Sequence, residues 1–315
     1  MTLPALVGID WGSTRLRVHL VAGDGTRLES RASAPEAKTG AQHLIDRGGR
    51  PADFEAVLAH LAGDWLDLAL PRLMCGAVGS ERGWRAAPYV GCPAGLAEVA
   101  AALTRVKTSV YGEIGLVPGC NAGFTDGEPE MMRGEETQVL GLLGGDAAPP
   151  ELVILPGTHS KWVSLASGRI TGLRTYLTGE LRAHILGAGC LVPPPEVNQI
   201  GDAAALREGA ALAAGSGALS RLLYAGRARR LAGRLPAEHV AAFLSGVLIG
   251  QELEDEAATL TGTARVALVA SGAAAETYGT LLADRGVRPE RHDPDEVTAR
   301  GLFAIARAAG WIGGT

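Results

Sequence analysis

The chain has 315 residues, about twice the length of an ordinary single domain, so two domains are expected. Hydrophobic residues make up 47% and charged residues 20%, which excludes a disordered chain, and the longest nearly uncharged apolar stretch, Val240 to Gly250, falls far short of the roughly 20 residues of a spanning helix. A net charge of −5 leaves no basic footprint for nucleic acid or an anionic membrane.

The first residues lack the basic start and long apolar core of a secretion signal, and Cys75, Cys92, Cys120 and Cys190 form no CxxC pair. Buried or incidental thiols in a reducing, cytoplasmic compartment are expected, not a structural zinc site. Of the 29 basic residues only Lys38, Lys107 and Lys161 are lysine, so an isolated arginine carries little information here.

Leu6 to Asp10 reads as a buried strand ending in a carboxylate. Gly12-Ser13-Thr14 then turns the chain into Arg15–Leu20, where Leu16, Val18 and Leu20 alternate with Arg15, Arg17 and His19, a strand with two distinct faces. Asp24-Gly25 turns into a third strand, Thr26 to Ala32. A helix at 53–69, a strand Arg72 to Cys75, a glycine-rich loop and a helix at 94–104 follow, and the mixture predicts a mixed sheet flanked by helices. A helix over 132–143 leads into the Gly144–Pro150 loop. The opening pattern then returns: strand Val153 to Pro156, turn Gly157-Thr158-His159-Ser160, strand Lys161 to Leu165, turn Gly168-Arg169 and strand Ile170 to Leu177. Gly12 and Gly157, Ser13 and Thr158, Val18 and Val163, and Leu20 and Leu165 share one offset of 145 residues, which predicts two copies of one domain plan. Beyond it, the Val192–Pro195 loop precedes long helical segments at 202–224 and 236–257. A strand Ala264 to Ala270 ending at Ser271-Gly272 leads into a helix, and a last helix covers 295–309.

Two Gly-Ser/Thr turns expose backbone N–H groups and hydroxyls without bulk, as a polyphosphate requires, although either alone is also an ordinary hairpin. Asp10 is a candidate ligand for Mg²⁺ through water, and Lys161 a candidate partner for a phosphoryl oxygen. No P-loop sequence and no strand-to-helix GxGxxG is present, which excludes the first class of NTPase and disfavours a nicotinamide enzyme. Glu135 and Glu136, at an expected helix N-terminus, fit a base that accepts a hydroxyl proton and equally a pair that stabilises the helix. Helical spacing does not separate them: Glu136 shares a face with Met132, Val139 and Leu143, Glu135 with Gln138 and Leu142. The Gly76–Tyr89 loop, with Gly79, Ser80, Trp84 and Tyr89, reads as a small-ligand pocket or as a surface loop pinned by a buried tryptophan. Arg15 and Arg17 are anion candidates, and Thr178-Gly179-Glu180-Leu181 is a capping or ligand signal.

Taken together, Asp10-Trp11-Gly12-Ser13-Thr14, Arg133-Gly134-Glu135-Glu136-Thr137-Gln138, Leu155-Pro156-Gly157-Thr158-His159-Ser160-Lys161-Trp162-Val163 and Ser271-Gly272 resemble the actin/hexokinase/Hsp70-like ATPase superfamily. Within it the chain resembles the 2-dehydro-3-deoxygalactonokinase family. The resemblance implies two RNase H-like domains, 1–115 with the sugar-acid site and first phosphate turn and 116–315 with the second turn and adenosine site, around an ATP cleft; the last helix is expected to return to the first domain. It implies transfer of the ATP γ-phosphoryl group, with Mg²⁺, to the 6-hydroxyl of 2-dehydro-3-deoxy-D-galactonate in galactonate breakdown. Glu135 is the implied base with Glu136 beside it. The first turn would bind phosphate through Gly12, Ser13, Thr14 and Arg15, and the second through Gly157, Thr158 and Lys161. Arg17, Gly79, Ser80, Trp84, Tyr89 and Glu180 would meet the sugar acid, and Ser271 and Gly272 the adenosine. The loop departs from the family pattern at Ala77, where Met is expected, and at Ala86, where Glu is usual. A kinase of 2-dehydro-3-deoxygluconate or another small sugar acid is the nearest rival, followed by a phosphohydrolase and a non-enzymatic sugar-acid sensor. The oligomeric state stays open, with a homodimer as the assembly to test.

Overall fold

The computed structural model describes residues 3–123, 127–144, 148–187, 202–215 and 217–313. The expected Val192–Pro195 loop and Cys190 lie outside them. In chain order the first half contains β1 (Pro4–Trp11), β2 (Leu16–Ala22), β3 (Arg27–Ala32), α1 (Ala41–Asp46), α2 (Pro51–Leu66), β4 (Arg72–Cys75), β5 (Tyr89–Gly91), α3 (Leu96–Ala101), β6 (Thr104–Lys107), β7 (Glu113–Leu116), β8 (Gly119–Ala122), β9 (Glu130–Met132) and α4 (Glu135–Leu142). The second half contains β10 (Leu152–Leu155), β11 (Ser160–Ala166), β12 (Arg169–Tyr176), α5 (Thr178–Gly187), α6 (Ala203–Ala214), α7 (Leu219–Leu231), α8 (Val240–Asp255), α9 (Ala257–Gly262), β13 (Val266–Val269), α10 (Gly272–Asp284), β14 (Glu290–His292) and α11 (Pro294–Ala308).

Two compact units form. The first comprises Met1–Pro150, Val163–Leu173 and Asp293–Thr315, and the second Glu151–Trp162 and Arg174–His292. Residue 115, the domain edge expected from sequence, falls within β7 of the first unit.

The sheet of the first unit has the order β3-β2-β1-β4-β7-β6. β1 runs antiparallel to β2 and parallel to β4, with Asp10 opposite both Arg17 and Cys75. The other large sheet repeats the first five positions of that order as β12-β11-β10-β13-β14, with β13 parallel to both β10 and β14. A doubled strand order built from separate stretches of chain makes the 145-residue echo structural.

Several elements differ from the sequence reading. The segment 94–104 divides into α3 and the start of β6, because the apolar run ends at Ala101 and Thr104–Lys107 pairs with β7. The segment 202–224 divides into α6 and α7 where Gly215 and Gly217 interrupt helix propensity. The short strands β5, β8 and β9 form a three-stranded sheet that no alternation announced. Both faces of β2 are covered at His19: α11 packs on the sheet, His19 is buried, and burial pushes its imidazole down to about 4.

The first unit's core gathers Val7, Ile9, Leu16, Val18, Phe54, Leu58 and Met74 around an aromatic cluster. Trp84 stacks on Phe54 with centroids 6.0 Å apart, and Trp11 meets both rings edge-on at 5.6 and 6.1 Å. The second unit's core joins Leu152, Ile154, Trp162, Ile249, Leu253, Leu268 and Tyr278. No helix among the described residues is long and apolar enough to cross a membrane.

Candidate active site

The two expected turns lie at the ends of equivalent strands, and each is braced from behind in the same way. The N–H groups of Ala41 and Gln42, in the first turn of α1, donate to the carbonyls of Gly12 and Ser13 at 3.0 and 3.2 Å. In the second unit the N–H of Glu180, in the first turn of α5, donates to the carbonyl of Thr158 at 2.9 Å. Gly40 and Gly179 make this approach possible, since a Cβ on either would collide with the backbone of the turn it backs. The turn carbonyls are thereby occupied. Ser13, Thr14 and Thr158 stay exposed, and a Cβ at Gly12 or Gly157 would meet nothing closer than 3.5 Å. This is the geometry of a turn that presents N–H groups and hydroxyls to an anion. Constant-offset comparison misses the bracing glycines: Gly40 follows Gly12 by 28 residues and Gly179 follows Gly157 by 22.

A buried carboxylate further orders the second turn. Glu252 of α8 accepts from Ser160 Oγ at 3.0 Å, Trp162 Nε1 at 2.8 Å and Tyr278 OH at 2.8 Å, and also from the hydroxyl of Thr178, the first residue of α5. Lys161 is buried beside this network and donates to Thr175 Oγ1 at 2.9 Å, so its ammonium is already engaged. Glu180 is exposed at the turn, 2.6 Å from His159 Nε2, and that hydrogen bond holds its carboxyl below the usual range. It belongs to the second unit, apart in the chain from Gly79, Ser80, Trp84 and Tyr89 of the first.

In the first unit three backbone segments converge. Gly76, with φ +101°, has Trp11 O where a Cβ would stand, and Gly134, with φ +110°, faces Gly76 Cα at 3.2 Å from its own Cβ position. The ends of β1 and β4 therefore meet the N-terminus of α4. Asp10, Glu135 and Glu136 all act electrostatically on the Cys75 thiol, and burial with these carboxylates pushes it well up. Asp10 is bound by Arg17 at 3.0 Å; burial raises its pKa, opposed by that arginine and reinforced by Asp295. Arg17 also lies 3.3 Å from Asp295, so its charge is shared between two carboxylates.

The glutamates differ sharply. Glu135 is half-buried and accepts from the backbone N–H of Arg133 at 3.0 Å. Glu136 is fully buried, accepts from Gly134 N–H at 2.8 Å and from the Thr137 hydroxyl at 3.1 Å, and is pushed up to about 8 by burial and by Glu135.

The Gly76–Tyr89 loop joins this region. Gly79 is buried, Ser80 half-buried, and Tyr89 40% exposed. Trp84 is a core residue: its indole closes the aromatic cluster, so it anchors the loop instead of lining an open pocket. Arg133, which the sequence reading did not single out, reaches this loop and donates to the carbonyls of Ala87 and Pro88 at 2.9 and 3.4 Å.

After β13, which runs parallel to β10 and leaves the sheet at the same edge, Ser271 is the N-cap of α10 and Gly272 begins it with φ +54°. Beside them opens a cavity of about 180 Å³ lined by Ala273, Glu276 and Thr277 of α10, Ala242 and Ser245 of α8, and Arg182 of α5. Alanine and leucine side chains line it beside the polar Arg182, Ser245, Glu276 and Thr277, a mixture that suits a heterocycle carrying polar edges. No group of three or more His, Cys, Asp or Glu able to hold a metal occurs among the described residues. A lone carboxylate at Asp10 nevertheless suits Mg²⁺, which keeps its waters and takes phosphate oxygens instead of an all-protein cage.

A sheet plan used twice, each copy with a helix braced against the turn of its first hairpin, defines the class: the actin/hexokinase-like ATPase fold. Within that class the model of the 2-keto-3-deoxy-galactonokinase family matches residues 10–305, and the chain belongs to this family. It is 36% identical over 313 residues to a protein of Rhizobium meliloti (strain 1021) named as a probable 2-dehydro-3-deoxygalactonokinase, covering 95% of this chain and 96% of the relative. It is likewise 36% identical over 307 residues to the 2-dehydro-3-deoxygalactonokinase of Escherichia coli (strain K12), covering 96% and 97%. A crystal structure from Sinorhizobium meliloti, assigned as a 2-dehydro-3-deoxygalactonokinase, superposes with a TM-score of 0.82 at 34% identity over 96% of both chains.

Proposed function

We propose that the chain transfers the γ-phosphoryl group of ATP to the 6-hydroxyl of 2-dehydro-3-deoxy-D-galactonate, a cytoplasmic step of galactonate breakdown. The observation that carries the chemistry is the glutamate pair at the N-terminus of α4, set against Asp10 and the loop after β4.

Glu135 takes the proton. A base must touch the hydroxyl it deprotonates and be ionised when it does so. Glu135 is half-buried and accessible, whereas Glu136 is enclosed and, titrating near 8, is mostly protonated at neutral pH. As the sugar oxygen forms its bond to the γ-phosphorus, its proton passes to Glu135. The bond from that phosphorus to the bridging oxygen breaks, and the electron pair leaves on the β-phosphate of ADP. The N–H groups and hydroxyls of Gly12, Ser13, Thr14 and Arg15 bind phosphate oxygens, as do those of Gly157 and Thr158. Lys161 joins them only by exchanging its bond to Thr175. Asp10 would hold Mg²⁺ through water; when bound, the ion neutralises phosphate charge. Ser271, Gly272 and the cavity beside them receive the adenosine. Gly79, Ser80 and Tyr89 face the sugar acid.

The test compares ATP-dependent turnover of 2-dehydro-3-deoxygalactonate, its gluconate epimer, galactonate and galactose by wild type, Glu135→Gln and Glu136→Gln. Removing a general base costs about 10²–10⁴-fold in kcat. That loss is expected for Glu135→Gln, with Glu136→Gln within a few-fold of wild type. Reversed effects would move the base to Glu136, and no turnover of any acid by wild type would sink the reaction.

A further inference from the structure

A polyphosphate is best held where a cation stands at the turn, and Lys161 is poorly placed to be that cation. At the 145-residue offset it occupies the position of Leu16, a fully buried core residue of the first unit, and it is buried in turn. Its ammonium donates to Thr175 Oγ1 at 2.9 Å.

His159 is placed differently. It is the third residue of the Gly157-Thr158-His159-Ser160 turn, the counterpart of Thr14, and its side chain is 45% exposed. Ser160, next in the chain, is buried and bonded to Glu252, which gives the histidine a fixed neighbour. Glu180 fixes the ring itself, with Oε2 2.6 Å from Nε2. The backbone N–H of the same glutamate donates to Thr158 O at 2.9 Å. One residue of α5 therefore braces the turn with its main chain and holds the turn's imidazole with its side chain.

The other Glu180 oxygen lies 3.7 Å from Nε2 of His184, one helical turn further along α5. The hydrogen bond from His159, with the charges of both histidines, holds the Glu180 carboxyl below its usual range, so it stays an acceptor. Nε2 of His159 must then carry its hydrogen. That leaves Nδ1, which has no hydrogen-bond partner among the described residues: an acceptor in the neutral ring and a donor in the imidazolium.

We propose that His159, as an imidazolium oriented by Glu180, is the cation of the second phosphate turn, with Nδ1–H donating to a phosphate oxygen of the nucleotide. This rests on the reading of that turn as a nucleotide phosphate site, and it moves Glu180 from the sugar acid to the nucleotide. An ionised phosphate oxygen only accepts, so it binds Nδ1 once that nitrogen is protonated, and nucleotide binding is coupled to proton uptake at His159. Each turn then carries one cation within its own four residues, Arg15 in the first and His159 in the second.

The experiment is titration calorimetry of the full chain with ATP and Mg²⁺, and with adenosine, at mildly alkaline pH. Two buffers of different ionisation enthalpy give the protons taken up by wild type, His159→Gln, Glu180→Gln and His184→Gln. His159→Gln should weaken ATP binding at least about tenfold and take up fewer protons than wild type, with adenosine bound as before. Glu180→Gln should lose ATP affinity in the same direction, and His184→Gln should match wild type. A His159→Gln variant with wild-type ATP affinity and proton uptake overturns the proposal. So does an equal loss of ATP and adenosine, which would mark a displaced turn, or a loss of uptake confined to His184→Gln. Wild type that binds ATP while His159→Gln binds it equally well refutes His159 alone. Wild type that binds no ATP refutes the phosphate reading of the turn with it.

Discussion

Glu136→Gln should stabilise the protein several-fold more at pH 8 than at pH 5. The Glu136 carboxyl is fully buried and pushed up to about 8, against 4.5 for an ordinary glutamate. Between those values the folded chain holds a proton that the unfolded chain has released, so stability falls as pH rises across the window and levels off above it. At about 1.4 kcal/mol per pH unit, the penalty reaches roughly 3–5 kcal/mol by pH 8. Glutamine removes the titration and keeps the contacts, because its carbonyl can accept from Gly134 N–H and its amide can donate to the Thr137 hydroxyl. Urea unfolding at pH 5, 6, 7 and 8 would be followed by tryptophan fluorescence, to which Trp11, Trp65, Trp84 and Trp311 of the first unit and Trp162 of the second contribute. Asp10, also raised by burial, contributes its own slope, so the quantity to read is the difference between the two proteins. Parallel curves over this range would show that Glu136 is ionised in the folded protein. The reasoning that assigns the proton to Glu135 would then fail.

Trp84→Ala should lower the stability of the first unit by about 3–5 kcal/mol, as removal of a buried aromatic does, seen as an earlier melting transition. An unchanged melting curve would return Trp84 to the list of residues facing the ligand. Gly179→Ala should reduce ATP affinity at least about tenfold, because its Cβ must displace the second turn from the start of α5. Gly187→Ala, whose Cβ would enter open space at the end of the same helix, is the control and should bind ATP as wild type does.

Much of this site could be read from the chain because it is made of local backbone signals. Asp10 and the Gly12 turn follow a strand with strong apolar patterning, and their echo at Gly157 survives at one offset. The glutamate pair sits at a helix start where a first-turn acid is chemically distinctive. What sequence could not separate was burial. Glu135 and Glu136 are adjacent and equally plausible on a helical wheel, and only the packing of Gly134 against Gly76 shows that one is enclosed while the other is reachable. Trp84 likewise has the composition of a pocket residue, and the distant contacts to Phe54 and Trp11 make it a core residue. Arg133 was concealed by the arginine excess, which makes every guanidinium look like solvated surface. Its signal is three-dimensional: buried donors with no acceptor among the described residues.

The repeat itself shows why equivalence at a fixed offset stops short of the function. Both copies keep the strand, the turn and the glycine-braced helix, but the first copy has six more residues between its turn and its bracing glycine. At the end of that connection the Thr39 carbonyl accepts from Trp11 Nε1 at 2.8 Å. Thr39 directly precedes the bracing Gly40, as Thr178 precedes Gly179, and its bond to Trp11 ties the first turn to the aromatic cluster that also anchors the Gly76–Tyr89 loop through Trp84. The second turn, braced by its own helix in the same way, is further ordered by Glu252 and its four donors. The shared plan explains two phosphate-type turns. The divergence lies in what stands behind each turn: the first is linked through Trp11 and Trp84 to the Gly76–Tyr89 loop, and the second through Glu252 to Trp162 and Tyr278.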